Sequence, residues 1–268
     1  MDTATIGTAR WRGGEGWAWL LGFIALDLYA NYVPRLVGFA IPAWLAYVAG
    51  FFLLVAVVCR FGLGLGATDL GLHRPKGWLR WLALGFAVGF GLWALKNLAF
   101  LAMDKFDIVG WRDATFAVPM LGQALLGMLL ASGINDVLVR GYGLAVCRRF
   151  GWMRWYVPLT ALVYALDDTW NGGFDAMNLA FSFVLGLSLA YTVLRTGALW
   201  MSIGIHWGGN VFYRFMSGFD GQGVPVLEQV VDGAGFEVLS IAVTALLLPL
   251  LVLTTRAWAP SRVDAIRR

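Results

Sequence analysis

The feature that most constrains this chain is a series of apolar runs, most of them about as long as a membrane-spanning helix. A helix needs about 20 consecutive, mainly apolar residues to cross a bilayer. Eight runs approach that length, and they cover residues 17–39, 41–59, 81–103, 119–147, 156–168, 176–195, 199–216 and 236–254. The pattern predicts an all-α, polytopic membrane bundle of about eight transmembrane helices.

The composition supports a membrane protein. Of 268 residues, 60% are hydrophobic and only 13% are charged, whereas about 25% of the residues in a soluble domain are charged. We expect a single membrane domain over 1–268, with an N-terminal tail at 1–16 and a basic tail at 255–268. The net charge of +4 is typical of basic cytoplasmic loops, so we expect the lipid bilayer as a partner and no nucleic acid.

The distribution of basic residues predicts the orientation. If both termini are cytoplasmic, most of the 20 Lys and Arg residues fall in inner segments, as the positive-inside rule requires. The outer segments then collect acidic residues. The first 16 residues lack the apolar core of a cleavable signal peptide, which favours an uncleaved signal-anchor. We therefore predict a multi-pass protein of the cell (inner) membrane with cytoplasmic N- and C-termini.

Polar residues interrupt the apolar run 119–147 at its centre. Asp136 and Arg140 are four residues apart, so they share a helix face and can form a pair that locks the bundle. Asn135 points about 100° away from Asp136. We expect this amide to bond to a neighbouring helix or to line the same cavity from its edge.

Two further polar spots lie downstream. His206 and Asn210 are four residues apart on one helix face, and Asp167 and Asp168 end the short fifth run. We predict that these spots converge with the first into one buried polar site. The two aspartates either enter a solvated outer loop or turn one carboxylate inward beside His206. In the second case, Asp168 and His206 are candidate ligands for Zn²⁺, or the carboxylate orients the imidazole as a base for water.

In order and spacing, these motifs resemble the CPBP family of intramembrane proteases, which contains the CAAX prenyl endopeptidases and related bacteriocin-immunity proteins. The family is described by Glu-Glu-x-x-x-Arg, aromatic-x-x-x-His and His-x-x-x-Asn helices. The matching segments here are Asn135-Asp136-Val-Leu-Val-Arg140, Tyr164-Ala-Leu-Asp167-Asp168 and His206-Trp-Gly-Gly-Asn210. The resemblance covers roughly 65–216 and implies a CAAX-protease-like core.

The resemblance also implies a role for each motif position. The first glutamate activates water, the second-motif histidine assists it, and the last His and Asn support the oxyanion. In this chain Asn135 stands at the water-activating position and Asp168 at the second-motif histidine, while His206 and Asn210 keep the third motif. An amide does not accept a proton near neutral pH, so the fold is implied more firmly than the activity.

Three functions are compatible with these residues. The two substitutions favour a non-proteolytic relative that binds or assembles with a membrane partner, such as a transmembrane helix or a membrane-protein complex. The alternative is a divergent intramembrane peptidase or hydrolase that uses Asp136 or Asp168 with His206 and Asn210. A third function, transport of protons or small ions, requires a continuous polar path through the bundle.

Overall fold

The computed structural model describes residues 15–37, 41–219, 221–229 and 235–258. Most of the two tails predicted from the sequence, at 1–14 and 259–268, lies outside the described residues. The chain divides into two compact units, 1–66 and 67–268.

The first unit is a pair of helices. Helix α1 (Glu15–Val37) is followed by α2 (Ile41–Ala56), which continues into a π-helical turn. The rings of Tyr29 and Tyr47 stack with their centroids 5.8 Å apart, and the Tyr47 hydroxyl donates to the carbonyl oxygen of Ala30 at 2.9 Å. Aromatic stacking and this hydrogen bond therefore join the two helices.

The second unit contains the remaining helices and two short strands. The helix α4 continues into α5 through a π-helical turn, Val137–Gly141. In chain order the elements are α3 (Trp78–Ala102), β1 (Phe106–Trp111), α4 (Ala114–Asp136), α5 (Tyr142–Arg149), α6 (Tyr156–Asp167), α7 (Thr169–Gly172), α8 (Ala176–Thr196), α9 (Trp200–Ser217), β2 (Pro225–Gln229), α10 (Gly235–Ala245) and α11 (Leu247–Trp258).

Six helical segments within the described ranges are long and apolar enough to cross a membrane. They are Glu15–Val37, Ile41–Gly62, Trp78–Ala102, Ala114–Arg149, Ala176–Thr196 and Gly235–Thr255. The predicted polytopic helical membrane protein is confirmed. The predicted spans 156–168 and 199–216 also form helices, α6 and α9, but neither is among the six. Helix α6 has only 12 residues, and α9 carries several polar side chains.

Helices α3 and α9 pack with their backbones in direct contact. Each carries a Gly-x-x-x-Gly motif, Gly85 with Gly89 on α3 and Gly204 with Gly208 on α9. A Cβ atom on Gly89 would lie 2.0 Å from the carbonyl oxygen of Ile205, and one on Gly208 would lie equally close to α3. Small residues allow such close approach between membrane helices. The glycines therefore fix the position of α9, which carries His206.

A second close contact holds α6 against α8. A Cβ atom on Gly186 would lie 2.9 Å from the Cα atom of Ala161. Helix α9 also packs against α4. Because α8 also packs against α9, the three helices that carry the motif residues, α4, α6 and α9, are held in one bundle.

A two-stranded antiparallel ribbon was not predicted from the sequence. Strand β1 pairs with β2 with an irregularity between Ile108 and Gly110. Phe106 at the start of β1 packs with Phe100 and Met216 in a buried cluster. Because the two strands are more than 100 residues apart in the chain, no local pattern indicates their pairing.

Candidate functional site

The π-helical turn after Asp136 determines how the first motif is arranged. In a π-helix the hydrogen bonds join residues five apart, whereas in a regular α-helix such residues point about 140° away from each other. Asn135 and Arg140 are five apart, and Arg140 Nη1 donates to Asn135 Oδ1 at 2.5 Å. The wider turn therefore lets Arg140 reach Asn135 as well as Asp136.

The carboxylate of Asp136 is fully buried and has three partners. The Ser202 hydroxyl donates to Oδ1, and His206 Nδ1 lies 3.0 Å from Oδ2. Arg140 Nε lies 3.8 Å from Oδ1. The structure thus brings Asp136, Arg140 and His206 together, and it adds Ser202, which the sequence analysis did not select.

Arg140 is itself fully buried. Its Cζ atom lies 4.1 Å from the centre of the Tyr164 ring, a distance at which a ring face attracts a cation. The Tyr156 hydroxyl donates to the main-chain carbonyl oxygen of Arg140 at 3.2 Å. The guanidinium nitrogens Nε and Nη2 make no hydrogen bond in the described part of the chain. A carboxylate, an amide oxygen and an aromatic ring therefore surround this cation.

The two adjacent aspartates have different partners. Asn135 Nδ2 donates to Asp167 Oδ2 at 2.6 Å, and Asp167 is only 5% exposed. Asp168 instead accepts a hydrogen bond at 2.5 Å from Ser182 on α8 and a longer one from Asn171. Asp167 therefore belongs to the Asn135–Arg140–Asp136 network, whereas Asp168, at the motif's histidine position, contacts α8.

Helix α9 presents a polar stripe to α4. Ser202, His206 and Asn210 follow one another at intervals of four residues, and Asn210 Nδ2 donates to the hydroxyl of Ser132 at 3.4 Å. The His206 ring meets the Tyr164 ring edge to face, with centroids 5.9 Å apart, and its side chain is 12% exposed. His206 is thus held on two sides and retains a small accessible edge.

Three serines that were not predicted from the sequence form hydrogen bonds with the predicted residues. Ser132 lies four residues before Asp136, and Ser202 lies four before His206. These spacings place each serine on the same helix face as a selected residue and could have identified it. Ser182, the partner of Asp168, has no comparable signal.

The residues present do not form a zinc site. Within the described ranges, no three His, Cys, Asp or Glu side chains are arranged to hold a metal ion. The two predicted ligands have separate partners, since Asp168 bonds to Ser182 and His206 to Asp136. No chemical step is therefore assigned to a metal.

Residues 117–212 match the family model of the type II CAAX prenyl endopeptidases, Rce1-like. This range contains all three motifs. No curated protein and no solved structure matches the chain. The resemblance to the CAAX prenyl endopeptidases is confirmed over residues 117–212, the segment that the family model matches.

Proposed function

We propose that this protein is a non-proteolytic Rce1-like membrane protein whose polar site binds a membrane partner. The main support for the proposal is that both ends of the Asn135 side chain are hydrogen-bonded within the protein. Asn135 occupies the position where the family resemblance implies a water-activating glutamate. Its amide oxygen accepts from Arg140, and its amide nitrogen donates to Asp167. The amide provides no proton acceptor for water.

The nearby carboxylates are also engaged. Asp136 has no exposed surface. Its carboxylate accepts a hydrogen bond from Ser202, contacts His206 and pairs with Arg140. Removing one member of such a buried set leaves an uncompensated charge. This argues that Asp136 stabilises the bundle. Asp167 is held by Asn135, so it too has a structural partner.

The accessible edge of the site is polar. His206 is 12% exposed, and Asn210 on the next turn is partly exposed. Imidazole and carboxamide groups on membrane helices form hydrogen bonds across helix interfaces. We therefore propose that the partner is a transmembrane helix of another protein, which packs over His206 and Asn210.

A second candidate function is hydrolysis by a rearranged site. Its support is the 3.0 Å contact between His206 Nδ1 and Asp136 Oδ2. An Nδ1–H donated to a carboxylate leaves Nε2 as the proton acceptor of the ring, which is the arrangement of a general base. Asn210 on the same helix face could then donate to an oxyanion.

Restoring the family residues tests the first proposal. The substrate is a prenylated CAAX peptide, with an active Rce1-like enzyme as positive control. Because Asp167 and not Asp168 bonds to Asn135, Asn135→Glu is combined with Asp168→His in one variant and with Asp167→His in the other. We expect the unmodified chain to be inactive and one double variant to gain cleavage, with Asp168→His alone as the matched control. Cleavage by the unmodified chain that neither double variant increases would argue for the rearranged hydrolase.

Photocrosslinking in the membrane tests the partner. A photoreactive amino acid is placed at Asn210 and, as a control, at Leu162, which is 50% exposed on α6. We expect a discrete protein adduct from position 210 and none from position 162. Equal labelling from both positions, or lipid adducts alone, would contradict a helix partner at the polar site.

A further inference from the structure

A cavity in the unit 67–268 shares no residue with the polar network around Arg140. Its volume is about 450 Å³, within the range of pockets that hold small ligands. Residues of α3, α7, α8 and α10 form its wall together with the residue that precedes α8. They are Phe100, Gly172, Asp175, Met177, Asn178, Phe181, Phe236, Glu237 and Ser240.

Aromatic rings supply the apolar part of this wall. Phe100 and Phe236 lie in contact, with ring centroids 4.7 Å apart, and Phe181 contributes a third ring. All three belong to helices that lie within membrane-spanning segments. Hydrocarbon is the chemistry that suits such a wall.

A buried cation lies directly behind the cavity wall. Lys96 is only 9% exposed, and its Nζ donates to the hydroxyl of Ser240 at 3.3 Å. Nζ also lies 4.2 Å from the ring centre of Trp93 and 5.1 Å from that of Phe181. Ser240 and Phe181 both line the cavity. The ammonium group is therefore close enough to the cavity to attract an anion placed there.

No carboxylate oxygen in the described part of the chain lies within 4.0 Å of Lys96 Nζ. A single hydroxyl and two ring faces compensate this charge only in part. Charged groups at this depth normally pair with an opposite charge. An anionic group in the cavity would supply the missing partner.

Two residues with negatively charged side chains, Asp175 and Glu237, also line the cavity. Glu237 is exposed and precedes Ser240 by three residues on α10, about 4.5 Å along the helix axis. Asp175 also lines the cavity, and its carboxylate oxygen Oδ2 accepts hydrogen bonds from the amides of Met177 and Asn178. Both carboxylates therefore contribute negative charge to the cavity, and Glu237 lies on the same helix as Ser240, the hydrogen-bond partner of Lys96.

We propose that this cavity binds a zwitterionic phospholipid, with its phosphate beside Lys96, its amine toward Glu237 and the start of an acyl chain against the three phenylalanines. A purely anionic lipid would be repelled by the carboxylate of Glu237, and a cationic amphiphile would be repelled by the ammonium group of Lys96. Only a headgroup with both charges complements both residues. The inference does not depend on whether the polar site is proteolytic.

Lipid titration followed by native mass spectrometry tests the site. The full chain is purified in detergent and titrated separately with phosphatidylethanolamine and phosphatidylglycerol. We expect phosphatidylethanolamine to bind more tightly, and Lys96→Met to weaken its binding about tenfold or more, since a hydrogen bond to a charged group is lost. Lys96→Arg should retain binding, and Lys76→Met, a change in an exposed loop, should leave it unchanged.

Two further variants keep the test decisive. Glu237→Gln should reduce the preference for phosphatidylethanolamine over phosphatidylglycerol. Ser240→Leu, which adds volume to the cavity wall without removing a charge, should weaken both lipids. Equal binding of phosphatidylethanolamine by the unmodified chain, Lys96→Met and Ser240→Leu would overturn the proposal. A preference for phosphatidylglycerol that Glu237→Gln does not change would overturn the zwitterionic assignment.

Discussion

Arg140 and Lys96 are both cations buried in membrane helices, but their surroundings differ. Arg140 has a carboxylate, an amide oxygen and the Tyr164 ring around it. Lys96 has one hydroxyl and the rings of Trp93 and Phe181. The first charge is compensated within the protein. The second lies beside a cavity and forms no ion pair with a carboxylate in the described part of the chain.

The difference suggests two uses for an intramembrane charge. The planar guanidinium of Arg140 can donate in several fixed directions, and this one residue contacts Asn135 and Asp136 of α4 and the Tyr164 ring of α6. The ammonium group of Lys96 is a point charge on a flexible stem and can turn toward a bound anion. We therefore interpret Arg140 as a structural centre and Lys96 as part of a ligand site.

The largest expected effect comes from exchanging each cation for methionine. Arg140→Met leaves the buried Asp136 without its cation, and breaking such a pair costs about 3–5 kcal/mol. Lys96→Met removes a buried charge that has no carboxylate partner, so its effect should lie within about 1 kcal/mol or be stabilising. The free energy of unfolding in mixed detergent micelles measures both. Equal destabilisation by the two variants would remove the distinction between the cations.

The next effect concerns the contact between α3, which carries Lys96, and α9, whose residues Ser202 and His206 contact Asp136. Gly89→Ala places a Cβ atom 2.0 Å from the carbonyl oxygen of Ile205, and such overpacking costs about 1–3 kcal/mol. The matched control is Gly91→Ala on the same helix, where a Cβ atom meets nothing within 4 Å. Similar unfolding free energies for the two variants would show that the α3–α9 contact is not tight.

A smaller effect is expected from reversing the Asn135–Asp167 pair. Asn135→Asp replaces the amide that donates to Asp167 at 2.6 Å, so two carboxylates then face each other without a donor. We expect the free energy of unfolding to fall by about 1–3 kcal/mol. Adding Asp167→Asn restores one donor and one acceptor. The double variant should recover part of the loss, with a coupling free energy of about 0.5–3 kcal/mol in a double-mutant cycle. Additive effects would argue against direct contact between the two side chains.

The smallest effect is expected at Asp113, an exposed carboxylate that we compare with the buried cations Arg140 and Lys96. Asp113 caps α4, and hydrogen bonds from the Thr115 hydroxyl and the Phe116 amide hold its pKa below the usual value. Its stabilisation is therefore present above the ordinary pKa of about 3.9 and is lost as the pH falls through the lowered pKa. Asp113→Ala should lower the Tm slightly at pH 7 and leave it unchanged near pH 2, with Asp107→Ala as control. A Tm difference that does not depend on pH would exclude a charge effect.

Much of the fold could be predicted from the sequence. The apolar runs indicate the membrane helices because only helices and closed barrels satisfy the backbone in lipid. Spacings of four residues indicate which polar side chains share a helix face, as for Asp136 with Arg140 and His206 with Asn210.

The rest depends on features without a local signal. The π-helical turn changes the angles that α-helical geometry assigns, so the contact between Asn135 and Arg140 is not expected from their spacing. The choice between Asp167 and Asp168 depends on where α6 ends relative to α4 and α8. The β1–β2 pairing and the cavity at Lys96 arise only when distant segments meet.

We propose as the main conclusion that the Asn135–Arg140–Asp136 network stabilises the helix bundle and does not catalyse hydrolysis. Its most direct test is the rate of cleavage of a prenylated CAAX peptide by the purified, unmodified protein, compared with its His206→Ala variant. We expect that neither protein cleaves the peptide faster than it is cleaved without protein. Cleavage by the unmodified protein that His206→Ala abolishes, while the variant remains folded, would contradict it.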